Sequence, residues 1–370
     1  MKQLLFFIII SISLFSCEEE TLTPDNLDGK IERIAKAGII SGASPGIAIG
    51  IIKNGQVKTY HFGVQNLNTG EPFNKNTICE IGSITKTMTA YVMADLVLKN
   101  KIVLKDSANQ YLPASLRVPS RNGKSVTVEH LLNHTSGLAT NPGGISTNPS
   151  KERQPFNNYD ENRLSDYLKG TKLNFDPGEK WVYSNIGLGL AGVIIKQVTG
   201  KRVTDLYREK IFQPLGMRSS FSNNAETPAN NVAQGYIGKH AFNFFEMGEA
   251  FEAAGIVKSN IHDMLLYLDW AMKADDPALR LTKQQTFLIQ AGDNPVNGVN
   301  YKDLGVGLAW GMLRTENGET IYNHSGGTYG FESFLAFNQN QKTGVILLCN
   351  SSFASDLSGK GLAILRLLEK

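Results

Sequence analysis

Ser83 and Lys86 stand three residues apart in the stretch Cys79-Glu80-Ile81-Gly82-Ser83-Ile84-Thr85-Lys86, a spacing that lets an amine reach a hydroxyl across one helical turn. Such a pair suits nucleophilic catalysis, with the serine as attacking group and the lysine as its base. Residue frequencies alone give about one or two Ser-x-x-Lys pairs in a chain this long, so the pair needs company. Tyr183 and Asn185 supply a second cluster, in Lys180-Trp181-Val182-Tyr183-Ser184-Asn185. A tyrosine hydroxyl beside a lysine ammonium has a depressed pKa and can accept a serine proton. An asparagine holds a substrate amide with both donor and acceptor. The third cluster is His324-Ser325-Gly326-Gly327-Thr328-Tyr329-Gly330, a histidine at the head of a glycine-rich strand. Its glycines invite an extended substrate to lie along the edge and leave an N–H free to point at a carbonyl. A core tyrosine and a glycine bulge with a surface histidine are the plain alternatives for the last two clusters.

The elements that must position these groups can be read from patterning. Thr85 to Lys99 contains no Gly or Pro and carries Met88, Val92 and Leu96 at i+4 spacing, which predicts a buried helix with Ser83 at its first turn. Free N–H groups and the positive end of the macrodipole there favour a developing alkoxide. Leu27 to Ile40 reads as an amphipathic helix, and Ile47 to Lys53 and Gln56 to Gly63 as strands joined at Asn54-Gly55 in a two-residue hairpin. That hairpin argues against a doubly wound parallel sheet at this end. Val126 to Leu138 reads as a further helix ending in His134-Thr135-Ser136-Gly137-Leu138, and Asn141 to Tyr159 as a long exposed loop of the kind that rims sites. A helix from about Gly187 to Thr199 stops at Gly200, and Phe331 to Asn338 and Gly344 to Asn350 read as strands.

Two rival sites fail on physical grounds. Gly42-Ala43-Ser44-Pro45-Gly46 has the Gly-x-Ser-x-Gly spacing of a hydrolase elbow, but a helix precedes it and a strand follows. Pro45 also lacks the N–H that the residue after such a nucleophile must offer an oxyanion, so Ser44 reads as a turn residue. His130 and His134 have the i, i+4 spacing of a zinc helix without the glutamate after the first histidine or any third ligand, so no metal is expected.

The chain opens with an export signal: Met1-Lys2-Gln3, then an apolar run from Leu4 to Phe15 that is too short to span a membrane. Leu14-Phe15-Ser16-Cys17 resembles a bacterial lipobox, which predicts cleavage and lipidation at Cys17, a tether over residues 18–26, and one domain over residues 27–370. The expected setting is an outer-membrane lipoprotein facing the periplasm or cell surface. A hydrophobic share of 41% and a net charge of +3 without a long basic run describe an ordinary globular body with no electrostatic footprint for nucleic acid. A small-molecule or peptide partner and a monomeric state are expected. Cys79 and Cys349 read as buried free thiols, although an exported location would permit a disulfide.

Ser83-Ile84-Thr85-Lys86, Tyr183-Ser184-Asn185 and His324-Ser325-Gly326, in that order, resemble the motif set of the serine β-lactamase and penicillin-binding-protein superfamily, closest to its class C β-lactamase and D-alanyl-D-alanine carboxypeptidase branch. His134 to Leu138, Pro177-Gly178-Glu179, Pro214-Leu215-Gly216-Met217 and Gly307-Leu308-Ala309-Trp310 are similar to accessory stretches of that branch. Glu129-His130-Leu131-Leu132-Asn133 is similar to the deacylating motif of class A enzymes but comes too early in the chain, so Glu129 reads as solvated or capping.

The resemblance implies an α/β fold: an antiparallel sheet flanked by helices, with sheet portions near 27–80 and 301–370 and a mostly helical region inserted at about 81–300. It implies Ser83 as acylated nucleophile, Lys86 and Tyr183 as a proton-transfer pair, and Asn185, His324, Ser325 and Gly326 as substrate ligands. The N–H groups of Ser83 and Gly327 would form the oxyanion hole, and no cofactor is required. His324 stands where typical class C β-lactamases have lysine, as in some carboxypeptidases and esterase-like relatives. As a mostly neutral imidazole donating one hydrogen bond, it would recognise a substrate carboxylate in a pH-dependent way. The implied activity is hydrolysis of D-amino-acid peptides, amides, esters or β-lactams, peptidoglycan-derived substrates among them; the alternative is a penicillin-binding or peptidoglycan-sensing protein with little turnover.

Overall fold

The computed structural model describes residues 25–40, 44–146, 148–273, 275–290, 304–352 and 356–370; the signal segment, Cys17, Gly42 and Ala43 lie outside them. Asn54 and Gly55 take left-handed φ values of +52° and +80°, the geometry a tight hairpin needs, and so join β1 (Gly46–Lys53) to β2 (Gln56–Gly63). Two short pairs follow in the middle of the chain. β3 (Cys79–Glu80) pairs with β6 (Lys258–Ser259), and β4 (Gly235–Ile237) with β5 (His240–Phe242). The remaining strands are β7 (Phe287–Leu288), β8 (Leu304–Val306), β9 (Gly311–Arg314), β10 (Thr320–Thr328), β11 (Phe331–Asn338) and β12 (Thr343–Cys349). They join the hairpin in one antiparallel sheet of order β2-β1-β12-β11-β10-β9-β8-β7, so strands from the two ends of the chain meet at β1 and β12. β7 brings residues ahead of 301 into that sheet.

Both faces of the sheet are covered, which explains why β12 is apolar at nearly every position. Val345 and Leu347 face one way, onto Ile31 and Ala35 of α1 (Leu27–Ile40) and Ile364 and Leu365 of the C-terminal helix Leu357–Leu368. Ile346 and Leu348 face the other way, toward Met264, Leu265 and Leu268 of the helix Ile261–Met272 and the large helical region beyond. No helix among the described residues is long and apolar enough to cross a membrane.

At the centre of the helical region lies α2 (Thr85–Leu98), buried on almost every side. Burying Met88, Val92, Met93 and Leu96 is worth about 1.5–3 kcal/mol each. The threonines interspersed among them are each engaged: Thr87 with the Tyr267 hydroxyl at 2.7 Å and Thr89 with that of Tyr207 at 2.6 Å. The expected helix over Val126 to Leu138 is shorter, because α3 (Val128–Leu132) stops where His134 turns left-handed at φ +64°. The residues from 133 to 138 are irregular and buried. α4 (Glu161–Gly170) follows the long loop, and α5 (Asn185–Thr199) ends on a left-handed Gly200 at φ +71°.

Candidate active site

Ser83 lies in a single 3-10 turn, Gly82–Ile84, that feeds directly into α2. Lys86, one turn on, points back so that its Nζ is 2.9 Å from Ser83 Oγ and donates to the Ala254 carbonyl at 2.6 Å. Lys86 is fully buried, and burial alone pushes its pKa well below the ordinary 10.5. Among the described residues no carboxylate offsets that desolvation, so the neutral amine, which can accept a proton, is favoured.

Tyr183 packs over Lys86. Its ring centroid is 4.9 Å from Lys86 Nζ, and its hydroxyl is near enough to Ser83 for the two to interact. The expected depression of its pKa is not found. Burial of the hydroxyl end raises it, and the interaction with Ser83 opposes this only in part. The pair is therefore split by its environment, with an easily deprotonated lysine and a tyrosine that keeps its proton.

The turn carrying Tyr183 and Asn185 is held by the irregular stretch after α3. Val182 N–H donates to the His134 carbonyl at 2.9 Å, Ser184 Oγ to the Ala139 carbonyl at 2.8 Å and Asn185 N–H to the Thr140 carbonyl at 2.8 Å. Asn185 Nδ2 donates one hydrogen to Asn141 Oδ1 at 2.8 Å, which fixes the amide plane and leaves its carbonyl and second N–H for another partner. Asn141 was not singled out as a site residue by sequence. Its only signal was its place at the start of the polar loop expected to rim the cleft.

The third side is β10. Its pairing to β9 covers Thr320 to Asn323 only, so from His324 onward that edge has no strand partner among the described residues. This unpaired edge is the sort that an extended substrate can join. Two close approaches bring it against the Ser83 turn. Gly82 has φ +48°, and a Cβ there would sit 2.7 Å from Gly327 N, while a Cβ on Gly326 would collide with the Ile81 carbonyl and Ser333 Oγ. Polar ties reinforce the contact. Ser333 Oγ donates to the Ile81 carbonyl at 2.8 Å and Thr328 Oγ1 to Glu80 Oε2 at 2.6 Å. Gly327, by contrast, opens to free space and is exposed, as is Ser325.

His324 departs from its expected behaviour. Its Nδ1 lies 2.6 Å from the Ser325 carbonyl oxygen, which can only accept, so Nδ1 carries the proton. The half-buried ring is held neutral, because burial and the nearby Lys86 push its pKa down to about 3 while the Ser325 bond opposes them. Its one donor is thus engaged, and Nε2 presents a lone pair. A neutral His324 has no hydrogen to offer a carboxylate.

The other candidates fall away from the cleft or into structural duty. His130 Nδ1 accepts the Thr127 N–H at 3.2 Å in a capping box, and His134 lies outside the α3 helix, so the zinc spacing is not realised. Glu129 is neither solvated nor capping: it is buried and paired with Lys105 at 2.6 Å. Ser44 is buried, with its Oγ 3.0 Å from the Gly46 carbonyl and 2.8 Å from Cys349 Sγ. Cys79 and Cys349 are buried free thiols.

This geometry coincides with a sequence match to the beta-lactamase family model over residues 30–368. The chain belongs to the beta-lactamase family. That membership makes it a serine hydrolase at the general level. A beta-lactamase of Pseudomonas fluorescens is 26% identical over 341 residues, covering 83% of this chain and 89% of that protein. Among solved structures, the octameric penicillin-binding protein homologue from Pyrococcus abyssi superposes with a TM-score of 0.77 at 27% identity, over 92% of this chain and 77% of that one. A beta-lactamase/D-alanine carboxypeptidase from Pseudomonas syringae gives 0.75 at 23% identity, over 92% and 98%. These likenesses bear out the antiparallel sheet with flanking helices expected for this beta-lactamase family chain.

Proposed function

We propose that this protein hydrolyses acyl donors through a Ser83 acyl-enzyme, with Lys86 as the base and Tyr183 as the proton carrier to the leaving group. The observation that carries the reading is a fully buried amine, with no carboxylate paired to it among the described residues, 2.9 Å from a serine hydroxyl. Lys86 takes the Ser83 proton as Oγ bonds to the acyl carbon, and the N–H groups of Ser83 and Gly327 receive the oxyanion. Tyr183 gives its proton to the departing oxygen or nitrogen as that bond breaks, and is reprotonated from Lys86. Water then enters by the same route in reverse and releases the acid. Asn185 accepts from the substrate amide, while His324, Ser325 and Gly326 line the free edge of β10 on which the acyl chain lies.

The substrate class is D-amino-acid peptides, amides, esters or β-lactams, as in D-alanyl-D-alanine carboxypeptidases and class C β-lactamases. A neutral His324 with its proton engaged favours esters and uncharged amides over donors that end in a carboxylate. Intact-mass measurement over time, after mixing with penicillin, a D-Ala-D-Ala peptide and the matching D-Ala ester, tests this. A transient adduct with product release is expected, fastest with the ester. A permanent adduct with every donor would instead favour the penicillin-binding, sensing role. Export and anchoring through Cys17 are part of the same proposal, supported by the apolar run and lipobox-like sequence. Cys17→Ser protein that still partitions with membranes would contradict it.

A further inference from the structure

We infer that His134 is a positioning residue for Tyr183, gripping the chain on both sides of that tyrosine and packing against its ring so that the hydroxyl stays on Ser83. The inference rests on the reading of Tyr183 as proton carrier. One residue touches four consecutive neighbours here. The His134 carbonyl accepts the Val182 N–H at 2.9 Å, and its Nδ1 accepts the Ser184 N–H at 3.1 Å. Its imidazole lies 4.4 Å from the Tyr183 ring, tilted by 36°, and meets Trp181 edge-on at 5.9 Å.

The way His134 is held is unfavourable for the fold on its own account. It adopts φ +64°, a region that histidine enters at a cost and glycine does not. Because Nδ1 accepts from Ser184, the neutral ring carries its proton on Nε2, and Nε2 is buried with no hydrogen-bond partner among the described residues. Closing α3 needs neither feature, since glycine or asparagine would end a helix with less strain. A strained, underbonded side chain pressed against the proposed proton carrier fits a role in the site better than a role in stability. The groups around it keep it in this form. Burial is the largest influence against a charged His134, and protonating Nδ1 would also forfeit the Ser184 N–H bond. Nδ1 therefore remains an acceptor at the pH where Lys86 works as a base.

The distinguishing signature is the leaving group. A displaced Tyr183 fails to deliver a proton to an alkoxide, whereas p-nitrophenolate departs without one. Single-turnover acylation by an alkyl ester and by its p-nitrophenyl counterpart should be compared in the wild type, His134→Asn, Tyr183→Phe and the double variant. Asparagine tolerates the left-handed backbone and can accept from Ser184, but it removes the ring. His134→Asn is expected to slow the alkyl ester about ten- to a hundredfold and the p-nitrophenyl ester less than about threefold, with KM unchanged and little further loss in the Tyr183→Phe background. Equal losses for both esters, or losses that multiply with Tyr183→Phe, would overturn the inference. If Tyr183→Phe itself left the ester ratio unchanged, the reading of Tyr183 would fail first and carry this one with it. His134→Gly, which relieves the backbone entirely, should reproduce the selective loss and keeps the test open should the asparagine variant misfold.

Discussion

The floor of the cleft and its rim are built on opposite principles. The floor, comprising Lys86, the Ser83 turn and Tyr183, is centred on a fully buried, hydrogen-bonded amine, and its effect is to move proton affinities. The rim, the edge from His324 to Gly327, is more open, and Ser325 and Gly327 are exposed. Desolvation is a large lever on an amine and a weak one on a backbone edge, so the chemistry should tolerate little change in the floor. Selectivity should shift with modest changes in the rim. The difference also distinguishes the two members of the proposed proton-transfer pair, because the same burial that lowers Lys86 raises Tyr183.

The sharpest way to break this comparison is Lys86→Met. It fills the same volume without the buried amine and should slow acylation by about a thousandfold. Thermal stability should hold or rise, because a buried polar amine is replaced by an apolar chain. A large fall in Tm with activity retained would mean that Lys86 is structural. On the rim, His324→Lys should shift the ratio of kcat/KM between a carboxylate-bearing donor and its ester about tenfold toward the acid. With its pKa pushed down to about 3, wild-type His324 should leave that ratio flat between about pH 5 and 8, where an ordinary imidazole would titrate. A wild-type ratio that bends near pH 6.5 would show a protonatable His324 and restore carboxylate recognition.

The smallest effect is on stability. His134 has a folded pKa well below its ordinary 6.5, so below that pH the unfolded chain binds a proton that the native chain refuses. Its contribution is complete above about pH 6.5 and is lost as pH falls, by up to about 1.4 kcal/mol per pH unit. Denaturant unfolding at pH 7 and pH 5 should show this loss in the wild type and a shallower one in His134→Asn.

Some of this was legible in the residues. A Gly- and Pro-free run with apolar i+4 spacing can hardly be other than a buried helix, and it carried Ser83 and Lys86 into contact as expected. Asn54-Gly55 and Gly200 are positions where composition and backbone conformation agree. What failed were properties of environment. The apolar spacing through Leu131, Leu132 and Leu138 is blind to one residue turning left-handed, so α3 was read as too long. Motif spacing placed Tyr183 near Lys86 but could not say which of the two burial would favour as an acid. No pattern announces that His324 gives its proton to the next residue's carbonyl, or that Asn141 orients Asn185.

The central claim is that Lys86 is neutral because it is buried, and that its neutrality activates Ser83. The pH dependence of the single-turnover acylation rate, measured with an uncharged ester in wild type and Tyr183→Phe, addresses it directly. The rate should reach its plateau well below the ordinary lysine pKa of 10.5, with the same inflection in the slower Tyr183→Phe protein. A rate that climbs tenfold per pH unit up to about pH 10, or an inflection that disappears with the Tyr183 hydroxyl, would contradict it.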